Sequence, residues 1–138
     1  MNMSIIQYFW SYLTATAVFF AIDMVWLGLI SVNLYREQMG NLMRASVNWY
    51  AGFGFYLLYI VGIILFVISP ALKSGSWQYA LIYGSLFGLF CYATYDLTNL
   101  AVINGWPLGL TFIDILWGTF LTGSVSVLSY FIIQKFIA

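Results

Sequence analysis

The run Gln78–Ile103, QYALIYGSLFGLFCYATYDLTNLAVI, contains a single charged residue, Asp96. About 20 apolar residues in an α-helix cross the ~30 Å of a bilayer's hydrocarbon core, so the run reads as a membrane span. Asp96 then becomes the residue to explain. A carboxylate at the centre of a bilayer costs roughly 2.5–3.5 kcal/mol on insertion-based scales. It has to face inward, meet polar partners or hold a proton. Gly84, Gly88, Tyr92, Tyr95, Asp96 and Asn99 follow three- and four-residue steps and so share one helical stripe. Gly84 and Gly88 form a Gly-x-x-x-Gly pattern, a packing notch that lets another helix backbone approach closely.

The rest of the chain has the same character. Of its 138 residues 64% are hydrophobic and 6% charged, against about 25% charged in soluble domains. One polytopic membrane domain accounts for the whole length, with spans at about 5–30, 49–68, 78–103 and 108–133. The first run lacks the Lys or Arg that opens a signal peptide and continues too long for one, so it reads as a retained span. The fold class expected is all-α, four transmembrane helices in an antiparallel bundle. Ser69-Pro70 is expected to stop the second span, because proline cannot continue helical hydrogen bonding. Ser31–Asn48 is the one sizeable polar connection and reads as a short interfacial helix. Asn104-Gly105-Trp106-Pro107 is so short that the last two spans must be neighbours. Trp10, Trp49, Trp77 and Trp106 fall near span ends, as an aromatic belt does. Arg36 and Arg44 on one face balance Lys73 and Lys135 on the other, which leaves orientation undecided.

Three of the four acidic residues, Asp23, Asp96 and Asp114, lie inside spans. Counted from the expected span ends, all three sit ~9–11 Å inside the same boundary. Each helix also has one small or polar face. On the fourth span it is Asp114, Gly118, Thr122 and Ser126, with Trp117 beside it. On the second it is Asn48, Gly52, Tyr56 and Tyr59. On the first it is Thr16, Phe20 and Asp23, with Trp26 one turn further. Asp23/Trp26 and Asp114/Trp117 repeat one i, i+3 spacing on oppositely directed helices. That spacing predicts an acidic layer with one tryptophan above it and one below.

The candidate ligand or proton site is therefore Asp23, Asp96, Asp114, Asn99, Tyr92, Tyr95, Trp26 and Trp117. Arg36 and Arg44 are the candidate entrance, or simply anchors to lipid phosphate. Clustered carboxylates in a low dielectric favour retention of a proton by at least one of them, which makes proton coupling an option. Carboxylates serve as bundle glue only weakly, since interhelical hydrogen bonds average ~0.6 kcal/mol, and a neutral amide would serve as well. There is no histidine, and Cys91 is the sole cysteine. The usual zinc, haem and iron–sulfur sets are thus excluded, and no cofactor or metal site is assigned. No basic run points to nucleic acid.

Several phrases resemble a known family. They are Asp23-Met24-Val25-Trp26-Leu27-Gly28, Pro70-Ala71-Leu72 with Gly75 and Trp77, and Tyr92-Ala93-Thr94-Tyr95-Asp96-Leu97-Thr98-Asn99. Trp106-Pro107 and Asp114-Ile115-Leu116-Trp117-Gly118 complete the set. Over nearly the whole chain they are similar to the small bacterial inner-membrane proteins called domain-of-unknown-function family 2177. The resemblance implies a four-helix protein of the inner membrane and no assigned activity. Function is left to the carboxylates. The first expectation is a small transporter or ligand-binding permease for a small polar, cationic or lipid ligand, working as a homodimer across a Gly-rich face. The second is a membrane enzyme acting on a lipid or isoprenoid group. The third is a structural or accessory subunit.

Overall fold

The computed structural model describes residues 2–138, which fold into helices with no strand among the described residues. Helix α1 spans Ile5–Trp26 and begins in a capping box. Ser4 Oγ accepts the Gln7 N–H at 3.2 Å, and Gln7 Oε1 accepts the Ser4 N–H at 2.8 Å. A π-helical turn, Leu27–Ser31, then leads directly into α2, Val32–Met39, which ends in a 3₁₀ turn at Gly40–Leu42. Asn48 caps α3, Trp49–Ile63. A second π-helical turn, Ile64–Ile68, joins it to α4, Ser69–Ser74. Gly75, at φ +65°, supplies the left-handed residue that ends α4. Helices α5, Trp77–Val102, and α6, Leu108–Phe136, follow. Four continuous helical stretches are thus long and apolar enough to cross a membrane: Ile5–Leu42, Trp49–Ser74, Trp77–Val102 and Leu108–Phe136.

Two boundaries differ from the sequence expectation, and both involve a π-helical turn. The first helix does not stop near Ile30 but continues through α2. The second does not stop at Pro70, because α4 restarts the hydrogen-bond ladder there. Pro70 occupies the first turn of α4, where a missing N–H breaks no helical bond.

Helices α5 and α6 form the most extensive contact in the molecule. A Cβ at Gly84 would come 2.5 Å from Ser126 Oγ, and one at Gly88 would strike the Gly118 carbonyl oxygen and Thr122. Trp77 meets Phe131 at 6.4 Å. Rising numbers on α5 thus meet falling numbers on α6, so these two helices run in opposite directions. Gln7 Nε2 donating to the Ile137 carbonyl at 3.1 Å, and Trp26 stacking on Trp117, show the same reversal between α1 and α6. The Gly84–Gly88 notch is filled by α6 of the same chain. That Gly-x-x-x-Gly face thus packs within the chain, as a packing notch.

The inner face of α1 is Ser11, Ala15, Phe19 and Asp23, a pure i+4 row rather than the Thr16–Phe20 face expected. Ile60, Ile63, Leu121, Val125 and Ile133 are fully buried and close one half of the bundle, with Phe19, one turn from Asp23, also fully buried. The other half is looser. The first ten residues of α3 are mostly exposed, and α5 packs on the Ile64–Ile68 turn rather than on that part of α3.

Candidate functional site

The loosened half encloses a cavity of about 600 Å³, within the size range of small-molecule sites. Asp23, Asp96 and Asp114 all line it, from α1, α5 and α6 respectively. Their exposures are 4%, 0% and 9%. No Lys or Arg lines the cavity, and eight of its seventeen lining residues are aromatic.

Each carboxylate has a different surrounding. The Tyr56 hydroxyl donates to Asp23 Oδ2 at 3.0 Å. The Tyr35 hydroxyl donates to Asp114 Oδ1 at 2.9 Å and accepts from Trp26 Nε1 at 3.3 Å. Asp96 neighbours Asp114 in the cavity wall. Both oxygens of Asp96 are buried without any hydrogen-bond donor, and the indole N–H groups of Trp106 and Trp117 are buried without an acceptor. Buried polar groups are normally paired. The cavity wall therefore presents one carboxyl and two indole N–H groups without hydrogen-bond partners.

The tryptophans do not lie on either side of an acidic layer. Trp26 and Trp117 stack directly, centroids 4.5 Å apart and planes within 10°. Asp23 and Asp114 each lie three residues before a stacked tryptophan, on helices of opposite direction. The two carboxylates and the stacked tryptophans all line the one cavity. Among the described residues no three metal-ligating side chains converge on a point.

The other candidates separate. Tyr92 lines the cavity with its ring laid over Gly118, where no Cβ fits. Tyr95 lines it edge-on to Trp106, with centroids 5.9 Å apart. Asn99 is half-buried and outside the lining. Arg36 and Arg44 are exposed and also outside it.

Tyr35 is a cavity side chain that the sequence reading missed. Steps of 3.6 residues from Asp23 reach Ile30 and Leu34. The π-helical turn inserts one extra residue and swings Ser31 and Tyr35 inward instead. Gln38 follows the same face and meets Gly109. Trp106, read as a belt residue, and Cys91 also line the cavity. Replacing Tyr35 with phenylalanine is expected to destabilise the protein by about 1–3 kcal/mol, because it leaves Asp114 and the Trp26 N–H short of a partner. Thermal unfolding in detergent reads this, with Tyr50→Phe, on a 96% exposed side chain, as the unchanged control.

The sequence pattern of a family described as "Predicted membrane protein (DUF2177)" matches residues 8–131. No curated protein and no solved structure matches the chain.

Proposed function

Since the chain belongs to the DUF2177 family of predicted membrane proteins, a description that states location rather than chemistry, we propose a function from the cavity: a small permease that binds an organic cation within the bilayer. The observation that carries this reading is Asp96, fully buried, lining the cavity and without a donor to either oxygen. A cation supplies what that carboxylate lacks. Aromatic walls add cation–π attraction, about 2 kcal/mol or more where water is excluded. An anion would meet three carboxylates and no basic side chain. Asp23 and Asp114 add negative potential while their tyrosine partners hold them in place. The Asp96–Asp114 pair can take up a proton when the cation leaves, so exchange of one for the other is part of the proposal. Placement in a bacterial inner membrane belongs to it as well.

Flux of tetramethylammonium into liposomes containing the purified protein tests the reading. This ion is permanently charged and crosses bare lipid slowly. Uptake above that of empty liposomes is expected for the wild type, with loss of that excess in Asp96→Asn. Equal uptake by the two proteins would reject the assignment.

The looseness between α3 and α5 also favours, as a second reading, an enzyme acting on a lipid in the same cavity. Lipid extracts of deletion and wild-type cells separate the two. A lipid species changed in covalent structure supports the enzyme, and an unchanged profile supports the permease.

A further inference from the structure

A groove adjoins the cavity and runs away from the aspartates along the outer face between α3 and α5. Its volume is about 390 Å³. Phe55 lines both spaces. From there a row of rings leads along the groove: Phe55 on Tyr59 at 5.4 Å, Tyr59 on Phe87 at 5.4 Å, and Phe87 beside Phe66 at 6.3 Å. Gly62 forms part of the floor, where an added Cβ would lie 3.0 Å from the tip of Phe87. Leu58 and Phe66 on its rim are 73% and 65% exposed. On a helix that crosses a membrane, such side chains meet acyl chains. The groove therefore opens sideways to lipid, while its inner end meets the acidic cavity at Phe55.

From this geometry we infer that the site takes a membrane-resident, single-chain cationic amphiphile: the ammonium head sits at Asp96 and Asp114, and the alkyl chain lies in the α3–α5 groove. The inference rests on the reading of the cavity as a cation site and adds the class of cation and its route. Three observations choose this occupant. The inner space is acidic and aromatic with two unpaired indole donors, which suits an amine or amino-alcohol head. The outer space is lined by carbon and ring side chains with no charged residue. The two share Phe55 as a common wall, so a ligand with its head in one and its chain in the other would pass over that ring. A phosphate-headed lipid would place its charge against the three carboxylates. A free, short amine would leave the groove unused. Lateral capture also removes the need for a polar entrance at Arg36 and Arg44, which lie away from the cavity.

The test uses the full chain in nanodiscs with dodecylamine carrying a photoactivatable diazirine, either beside the amine or at the far end of the chain. Cross-links that excess unlabelled dodecylamine removes are mapped by mass spectrometry. The head probe is expected to mark cavity residues such as Asp96 and Trp117, and the chain-end probe to mark the groove around Gly62, Phe66 and Phe87. In Gly62→Phe, whose ring fills the groove, competed chain-end labelling is expected to fall about tenfold or more, equivalent to about 1.4 kcal/mol. Phe87→Ala, which widens the groove, should retain it, and this keeps the test informative if Gly62→Phe does not fold. Head labelling in the cavity with chain-end labels scattered evenly over the lipid face would overturn the groove and leave the cation site standing. Absence of competed head labelling in the wild-type cavity would overturn both.

Discussion

Replacing Gly88 with leucine is expected to abolish the folded bundle. A Cβ at this position strikes the Gly118 carbonyl oxygen, which belongs to backbone and cannot swing away, together with the Thr122 side chain. The clash is relieved only if α5 separates from α6. Separation dismantles the most extensive helix contact in the molecule and withdraws the Tyr92 ring from the flat surface of Gly118. Overpacking a tight interior usually destabilises by about 1–3 kcal/mol. Here a rigid backbone contact and the loss of a whole interface place the expected loss above about 4 kcal/mol, the exceptional range for one substitution. Size-exclusion chromatography after heating should show Gly88→Leu aggregated under conditions where the wild type is monodisperse. Gly54→Leu is the matched control. A side chain there meets nothing within 4 Å, so the profile should not change. A stable Gly88→Leu protein would mean that α5 and α6 do not approach as closely as described.

The second large effect concerns binding, and its ranking follows from the hydrogen bonds. Asp96→Asn should weaken binding of an alkylammonium by about 2–5 kcal/mol, the range for truncating one member of a buried charge pair, or roughly 30-fold to several thousandfold. Asp23→Asn should have the smallest effect, because the Tyr56 hydroxyl already engages Asp23 at 3.0 Å. Asp114→Asn should fall between the two. Asp114 is held by Tyr35 but also faces Asp96. Titration of butylammonium into the protein in nanodiscs gives all three values. An order in which Asp23 dominates would place the cation at Asp23 and Tyr56 instead.

Much of the architecture was legible in the residues themselves. Four apolar runs of span length, the short turn at Gly105, and the inward stripes of α5 and α6 follow from hydropathy and a 3.6-residue period. The gathering of Asp23, Asp96 and Asp114 around one space followed from the expense of leaving each alone in lipid. What was not legible traces to the two π-helical turns. Neither has a residue pattern that sets it apart from ordinary apolar helix. The turn at Leu27–Ser31 shifted the inner face by one residue and brought Tyr35 to Asp114. The turn at Ile64–Ile68 carried the second span past Pro70. The mutual stack of Trp26 and Trp117 was lost for a related reason: an i, i+3 spacing fixes a residue's place on its own helix, while the offset between two helices depends on where each one ends. The groove between α3 and α5 was hidden because it is a gap, and a gap depends on how two helices diverge rather than on either one's residues.

The most direct test is an experimental density map of the protein with butylammonium bound. The expected result is density within hydrogen-bonding distance of Asp96, bounded by Asp114 and the face of Trp117. A map at saturating ligand with the cavity empty and the Asp96 side chain turned away from it, toward lipid, would contradict an intramembrane cation site.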